Sequence, residues 1–286
     1  MKQKSLAATF RQLHHQPPLV LPNAWDPASA RVIESGGASA VATTSAGLSW
    51  SHNRRDGHGL SRLQAVAALR AIVQAVEVPV TADIEGGYGA GTRDDVAETV
   101  GMVLEAGAVG INLEDAPGKD GEPLLAPKEQ GERIRGAREA AENKGLDLFL
   151  NARIDVYLAA VGKPEGRLRA VLERAETYLE AGADGIFVPG VSDAATVAAL
   201  VAGIDAPLNV MAGFGALSVR QLGDLGVARV SLGPAVALAA LGLMERITKE
   251  VLREGTYSSL EGALSYGTAD GLFSRGLSSE GPSVDA

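Results

Sequence analysis

The chain alternates short apolar runs with longer stretches in which small apolar residues recur at helical spacing. Each apolar run has the length of a buried strand, and several follow a helical stretch that ends near a glycine. Near copies of one such junction occur at residues 105–111 and 180–186. Repeated alternation of helix and strand predicts parallel βα units whose strands are buried on both faces.

Eight apolar runs are predicted as strands, at residues 19–23, 40–44, 78–84, 109–114, 148–154, 185–189, 208–211 and 229–232. Helices are predicted between them at 62–76, 93–106, 129–144, 165–181 and 194–202. About eight βα units in 286 residues fit an α/β fold of the (β/α)8 TIM-barrel type. A doubly wound open sheet is the alternative, and it is disfavoured because no G-x-G-x-x-G follows the first strand.

The C-terminal part of the sequence predicts extra helices beyond the barrel. One is expected at 236–253 and a second near 258–265, with Gly255 between them, and the tail at 278–286 is polar. No stretch has the composition of an internal linker. We therefore expect a single barrel domain over 1–286, in which 255–286 is a helical extension and tail.

The amino-acid composition and the net charge exclude several classes of function. The chain has no cysteine, which excludes disulfides, thiolate metal ligands and cysteine catalysis. Its net charge is −9 without a basic block, which argues against binding nucleic acid or an anionic membrane surface. No signal peptide is evident, and the longest apolar stretch is too short to span a bilayer. We expect a cytoplasmic protein that acts on a small molecule.

The most informative stretch is 80–89, where an apolar run ends in two carboxylates and a glycine-rich loop. Residues two apart in a strand point to the same face, so Asp83 and Glu85 are expected to project together. Burying unpaired carboxylates is costly, whereas neighbouring oxygen ligands suit Mg²⁺ or Mn²⁺. A structural ion pair with a nearby arginine is the alternative interpretation.

Barrel enzymes build their sites at the carboxyl ends of the strands. These ends and the loops after them bring in Asp56, Asp83, Glu85 and Glu114, which would face the cation Arg153. The pattern predicts a divalent metal held mostly through water, with Arg153 binding a substrate anion. No lysine lies in a predicted strand, which disfavours a Schiff-base aldolase, and the histidines lie outside the strands, which disfavours a zinc site.

Five motifs, taken in order, resemble the isocitrate lyase / phosphoenolpyruvate mutase superfamily. They are Asn23-Ala24-Trp25-Asp26, Thr44-Ser45-Ala46-Gly47-Leu48 with Asp56, Asp83-Ile84-Glu85-Gly86-Gly87-Tyr88-Gly89, Gly110-Ile111-Asn112-Leu113-Glu114-Asp115 and Asn151-Ala152-Arg153-Ile154-Asp155. The resemblance extends from about Leu19 to about Gly271. It implies a Mg²⁺-dependent barrel enzyme that makes or breaks a C–C or P–C bond next to a 2-oxo acid. It also implies a helix exchanged between subunits, usually in a dimer of dimers.

The resemblance also implies roles for individual residues. Asp83 corresponds to the direct metal ligand, and the other expected metal-site carboxylates, which hold metal-bound water, are Glu85, Asp56 and Glu114. The amides of Gly47 and Leu48 correspond to the cradle for the substrate carboxylate. The full expected substrate-binding set is Ser45, Ala46, Gly47, Leu48, Arg153 and Asn209. The expected catalytic set is Arg153, Glu114, Asp56 and Glu122.

Departures from the family pattern limit which activities of the superfamily this chain is expected to have. Isocitrate and methylisocitrate lyases carry Lys-Lys/Arg-Cys-Gly-His in the loop after the fourth strand, and mutases carry Lys with Asn two residues later. The loop at 116–123 has Lys119 but lacks the Cys, the His and the Asn, so all these activities are disfavoured. The sixth strand ends in Val188-Pro189-Gly190, where mutases have a histidine. Glu122 or water is the expected proton donor.

These observations favour a Mg²⁺-dependent lyase of a small 2-oxo or 2-hydroxy (di)carboxylic acid, acting through a metal-stabilised enolate. The reaction would be C–C cleavage or oxaloacetate-type decarboxylation. One alternative is a P–C bond mutase or hydrolase of phosphonopyruvate or phosphoenolpyruvate. Another is a non-catalytic 2-oxo acid binding protein. The loop at 116–127, rich in glycine and proline, is predicted to be a lid.

Overall fold

A computed structural model of the protein describes residues 1–15, 18–117 and 123–273. The strands in these residues are β1 (Leu19–Leu21), β2 (Asn23–Ala24), β3 (Val41–Thr43), β4 (Val80–Asp83), β5 (Gly110–Glu114), β6 (Phe149–Arg153), β7 (Gly185–Val188), β8 (Leu208–Met211) and β9 (Arg229–Ser231). The α-helices are α1 (Lys2–Leu13), α2 (Pro27–Ser35), α3 (Ser45–Ser51), α4 (Arg62–Ala75), α5 (Arg93–Ala106), α6 (Pro127–Asn143), α7 (Pro164–Glu180), α8 (Ala194–Gly203), α9 (Val219–Asp224), α10 (Ala235–Arg253) and α11 (Tyr266–Phe273).

The strands form one parallel sheet in the order β1-β9-β8-β7-β6-β5-β4-β3-β2. β1 and β2 are two halves of the single strand predicted at 19–23, separated by Pro22, which has no N–H for the ladder. β1 pairs with β9, whereas β2 pairs with β3. The first predicted strand thus joins both ends of the sheet, and the prediction of a (β/α)8 TIM-type barrel is confirmed.

Helix starts are fixed by short polar sequences that recur after the strands. The Asp26 carboxylate accepts a hydrogen bond from the Ser29 amide at 2.6 Å, while the Ser29 hydroxyl accepts one from the Asp26 amide at 3.1 Å. The same reciprocal capping box begins α4, α5 and α9 at Ser61, Thr92 and Ser218. These caps set where the loops before α2, α4, α5 and α9 end. Because all the strand pairs are parallel, every strand presents its carboxyl end to the same face of the barrel.

Helices α1 and α3 are among the helices that were not predicted from the sequence. In α1, Phe10 is fully buried and its ring meets that of Phe149, the first residue of β6, at 5.7 Å between centroids. This contact places α1 against the amino-terminal end of the barrel, opposite the face that carries barrel active sites. The second is α3, which begins directly after β3 and changes the geometry of the expected substrate cradle.

The C-terminal residues differ in part from the prediction. Contacts divide the chain into two compact units, Met1–Ala237 and Leu238–Ala286. The second helical stretch predicted near 258–265 is only partly helical: a 3₁₀ helix covers Ser258–Leu260, and the α-helix α11 begins later, at Tyr266. The reason is local, because Gly262 has a φ of +82° and the Ser265 hydroxyl caps the later helix by accepting from the Thr268 amide at 3.1 Å. The expectation of one domain over 1–286 stays a prediction.

Candidate active site

Three neighbouring strands carry the charged side chains of the candidate site. β4 ends at Asp83, β5 at Glu114 and β6 at Arg153. β5 lies between the other two, and in its register with β6 Glu114 is opposite Arg153. Because all the strands are parallel, these residues share the carboxyl face of the barrel, where barrel enzymes hold their substrates.

Asp83 connects the strand end to two neighbouring segments. Its carboxylate accepts hydrogen bonds from the Glu85 amide at 3.2 Å and from the Ser45 amide, in the first turn of α3, at 3.3 Å. Its own amide donates to the Thr43 hydroxyl at 2.9 Å. These bonds fix the orientation of the carboxylate.

The expected carboxylate cradle lies in the first turn of α3. The Leu48 amide donates to the Thr44 carbonyl at 3.0 Å and is therefore used within the helix. Helix geometry leaves the amides of Ser45, Ala46 and Gly47 without an acceptor in the helix, and Ser45 donates to Asp83. We therefore move the expected cradle by one residue, to Ala46 and Gly47. A side chain at Gly47 would clash with Trp25, since an added Cβ would lie 2.7 Å from the Trp25 Cβ.

Glu85 lies beyond the end of β4, in a strained turn. Its φ is +50°, a conformation that costs a residue with a side chain free energy, so the strand alternation used to predict its direction does not apply. The side chain is 2 % exposed, and its carboxylate accepts hydrogen bonds from the His58 amide and the Tyr88 hydroxyl. Burial, with the nearby charges of Asp83 and Asp56, raises the pKa of Glu85 to about 7.

Asp56 belongs to the long loop between α3 and α4. The side chain is exposed, and the loop is held over β4 by the bond from the His58 amide to Glu85. The Asp56 charge is felt at Glu85, where it contributes to the raised pKa. The structure thus brings Asp56 near the strand-end carboxylates without a hydrogen bond between them.

Glu114 and Arg153 form a buried ion pair, with 2.8 Å between Oε2 and Nη1. Burial raises the pKa of Glu114 well above its usual value; Arg153 opposes this effect, and Asp155, Asp83 and Glu85 add to it. Burial by itself lowers the pKa of Arg153, but the carboxylates of Glu114, Asp155 and Asp83 outweigh it and raise that pKa. The guanidinium therefore stays charged beside a cluster of acids.

The donor set fits a divalent cation held mainly through water. Within 1–15, 18–117 and 123–273, no three His, Asp or Glu side chains form a group that could hold a metal ion. Even so, Asp83 adds to the raised pKa of Glu85, and both add to the raised pKa of Glu114, so the three carboxylates lie close enough to repel one another even though Arg153 is paired with Glu114. Mg²⁺ is commonly bound by one or two carboxylates while it keeps several waters. The arrangement suits such an ion.

Asn209, an expected substrate contact, lies in the barrel interior. Its side chain is fully buried; Nδ2 donates to the Val210 carbonyl at 2.8 Å and to the Ser231 hydroxyl at 3.1 Å, while Oδ1 accepts from Asn151 at 3.0 Å. The side-chain amide of Asn209 thus makes its hydrogen bonds within the barrel interior, where it also donates to the carbonyl of the fully buried Arg229. Its role as a substrate contact stays a prediction that this geometry does not favour.

Two predicted features fall wholly or partly outside the described residues. Glu122 lies in 118–122, as does Lys119, and the lid expected at 116–127 is described only at 116–117 and 123–127.

Asp155 is a site residue to which the sequence analysis gave no role. It binds Arg153 through two hydrogen bonds, of 2.6 and 2.8 Å. Its spacing of two residues from Arg153 in the motif at 151–155 was the available signal.

Comparisons with known proteins show which family the chain is similar to. The sequence matches the family model of phosphoenolpyruvate phosphomutase over residues 10–252. The uncharacterized protein Rv1998c of Mycobacterium tuberculosis is 37 % identical over 79 % of this chain and 81 % of its own length. The 2-methylisocitrate lyase of Escherichia coli is 30 % identical over 71 % of this chain and 69 % of its own.

A solved structure extends the similarity over nearly the whole chain. The crystal structure of a candidate lyase or mutase from Burkholderia cenocepacia superposes with a TM-score of 0.89, at 37 % identity, over 96 % of this chain and 98 % of that one. Among the described residues, no helix has both the length and the apolar character needed to cross a membrane. The family match, the barrel and the strand-end residues together establish that the chain belongs to the isocitrate lyase / phosphoenolpyruvate mutase superfamily of lyases and mutases.

Proposed function

We propose that the protein is a Mg²⁺-dependent lyase of a small 2-oxo or 2-hydroxy (di)carboxylic acid. The observation that carries this proposal is the group of carboxylates from Asp83, Glu85 and Glu114 beside the charged guanidinium of Arg153. A cation site adjoining a buried arginine suits an anionic substrate that gains further negative charge on oxygen in the transition state.

Each residue then has a defined task. Asp83 would bind the ion directly, and Asp56, Glu85 and Glu114 would hold its water ligands. When bound, the ion would supply Lewis-acid stabilisation of negative charge on a substrate oxygen. Arg153 would bind a substrate carboxylate, because its fixed fork of N–H donors matches a carboxylate in geometry and charge.

For a 2-hydroxy dicarboxylate, the reaction is a retro-aldol cleavage. A base removes the hydroxyl proton, the C2–C3 bond breaks, and its electron pair stays on C3 beside the second carboxylate. Protonation of C3 gives a 2-oxo acid and a carboxylic acid. Glu114, whose carboxylate lies 2.8 Å from the Arg153 guanidinium at the strand ends, is the candidate base. The proton for C3 would come from Glu122 or from water.

For oxaloacetate, the reaction is a decarboxylation. The C3–C4 bond breaks, CO₂ leaves, and the electron pair forms the enolate of pyruvate, which is protonated at C3. The negative charge develops on the C2 oxygen, and the positive charge of Arg153 lowers the energy of that anion. This reaction needs no base for a hydroxyl proton, so it places fewer demands on the loop after β5.

A panel of 2-oxo and 2-hydroxy acids, assayed with Mg²⁺ for pyruvate or glyoxylate, tests the proposal. We expect turnover of at least one small (di)carboxylic acid, lost with EDTA and in Asp83→Asn. Tight binding of pyruvate or 2-oxoglutarate without any turnover would instead support a non-catalytic 2-oxo acid binding protein.

A P–C bond mutase or hydrolase is the second candidate, supported by the match to the phosphoenolpyruvate phosphomutase family. The end of β7 at Val188-Pro189-Gly190, where the mutase pattern has a histidine, weighs against it. Phosphonopyruvate belongs in the same panel, with release of inorganic phosphate or formation of phosphoenolpyruvate as the readout. Either product, without C–C cleavage of any acid, would favour this candidate over the lyase.

A further inference from the structure

A series of buried polar contacts leads from Arg153 to helix α7. The Asp155 carboxylate binds Arg153 through both oxygens, at 2.6 Å to Nε and 2.8 Å to Nη2. The Asp155 amide in turn donates to Asp115 Oδ1 at 3.0 Å. The other oxygen of Asp115 accepts from Arg174 Nη1 at 2.9 Å and from the Tyr178 hydroxyl at 2.8 Å. We name Asp115, Arg174 and Tyr178 the α7 cluster.

The α7 cluster is buried and therefore costly to assemble. Asp115 is fully buried, and burial raises its pKa. Asp155 is 4 % exposed. Taking charges out of water is costly unless the geometry is good, so a buried pair of this kind is weak support for a purely stabilising role. The cluster also fixes backbone near the site, since Arg174 donates to the Leu125 carbonyl at 2.9 Å.

The contacts of Arg153 with the described residues 1–15, 18–117 and 123–273 leave one part of its guanidinium for a ligand. The group has five N–H donors in a rigid plane. Asp155 takes one on Nε and one on Nη2, and Glu114 pairs with Nη1 at 2.8 Å. Two donors remain, one on Nη1 and one on Nη2. Because Asp155 holds the Nε side through two bonds, the guanidinium cannot turn without breaking both.

We propose that Asp155, held in place by the α7 cluster, is a positioning residue that directs the two remaining donors of Arg153 at a substrate carboxylate. The inference rests on the proposed function and names the group that Arg153 recognises. A planar carboxylate matches the guanidinium in geometry and charge and can accept from more than one of its donors. A 2-oxo acid, or its planar mimic oxalate, offers that group beside the oxygens that would face the metal.

Asp155→Asn tests the inference, because it keeps the shape of the side chain while it removes the charge and one acceptor oxygen. Oxalate binding is measured by isothermal titration calorimetry in saturating Mn²⁺, and Mn²⁺ binding is measured separately. We expect the Kd for oxalate to rise about 10- to 100-fold, by analogy with the loss of affinity when the outer partner of a metal ligand is removed. The Kd for Mn²⁺ should stay within about twofold, since Asp155 is not an expected ligand.

Asp184→Asn is the matched control. Asp184 also joins arginines, accepting from Arg11 at 2.9 Å and from Arg138, but it precedes β7 at the amino-terminal side of the barrel. A merely structural effect would lower the melting temperature in both variants without a selective change in oxalate binding. Tyr178→Phe is a milder second variant if Asp155→Asn does not fold. It removes the hydroxyl that donates to Asp115 and accepts from Arg174, and we expect about a threefold weaker binding of oxalate.

The outcomes separate this inference from the proposed function. Wild-type protein that binds Mn²⁺ but not oxalate contradicts both. Wild-type protein that binds oxalate, with unchanged binding in folded Asp155→Asn or in Tyr178→Phe, overturns the positioning role alone. Weaker oxalate binding in the control Asp184→Asn, equal to that in Asp155→Asn, also overturns it.

Discussion

Replacing Glu85 by glutamine should stabilise the metal-free protein at alkaline pH. Glu85 is buried beside Asp83, and its pKa in the folded protein is about 7 against 4.5 for an ordinary glutamate. The folded state therefore keeps a proton that the unfolded chain has already released. As the pH rises from 4.5 to 7, this difference lowers the free energy of unfolding.

The size of the effect follows from the two pKa values. Each tenfold change in the proton-binding equilibrium is worth about 1.4 kcal/mol, so the difference between the two pKa values corresponds to about 3 kcal/mol of unfolding free energy. Wild type has lost this stability in full above pH 7. A glutamine at this position would have no charge to bury, and its side-chain oxygen could still accept from the His58 amide. We therefore expect Glu85→Gln to match wild type near pH 4.5 and to exceed it by up to about 3 kcal/mol at pH 8.

Urea unfolding in EDTA at pH 5 and pH 8, followed by circular dichroism, measures this difference. Glu142→Gln, on the exposed side of α6, is the control and should change little at either pH. Saturating Mg²⁺ should reverse the order at pH 8, because a nearby cation stabilises the ionised carboxylate. The reasoning is refuted if Glu85→Gln is less stable than wild type at pH 8 without metal, or if the difference does not depend on pH.

Three further predictions follow from the site and the sequence. Asp83→Ala should abolish Mg²⁺-dependent activity by removing the direct ligand, and unchanged Mn²⁺ binding in calorimetry would contradict its assignment. Truncation after Arg253 should give monomers or insoluble protein. The reason is that most large apolar side chains of 238–273 are exposed, and a helix exchanged with a neighbouring subunit would cover them. Light scattering that shows a stable full-length monomer would contradict the exchange. Joint replacement of Lys119 and Glu122 by Ala should lower kcat by about 10²- to 10⁴-fold if the loop supplies an acid or base. Metal binding should be unchanged. Full turnover would instead mean that water or a strand-end residue donates the proton.

The fold could be predicted well from the sequence because its signals are local. Each βα junction carries its own cap, glycine or apolar run, so the strands predicted at 109–114 and 148–154 lie close to β5 and β6. Helix α1 escapes prediction because its apolar positions are few among charged and polar residues. The extra turn before α11 escapes it because that turn depends on one glycine with positive φ and one serine cap.

Only those residues of the candidate site that lie at the ends of strands could be placed from the sequence. Asp83, Glu114 and Arg153 end neighbouring strands, so parallel topology alone brings them together. The strained turn at Glu85 and the helical first turn after β3 could not be derived from strand alternation. The α7 cluster could not be predicted either, since it joins Asp115 to residues about sixty positions later, and only the tertiary packing that brings α7 to Asp115 decides that contact.

One crystal structure would test the central claim most directly: the protein grown with Mn²⁺ and oxalate, with the metal located by anomalous scattering. We expect a single strong peak at the carboxyl ends of β4 and β5, about 2.1 Å from an Asp83 oxygen. Waters on the ion should reach Glu85 and Glu114, and an oxalate carboxylate should lie against the two remaining donors of Arg153. A manganese ion bound elsewhere, or an oxalate that avoids Arg153, would contradict the account.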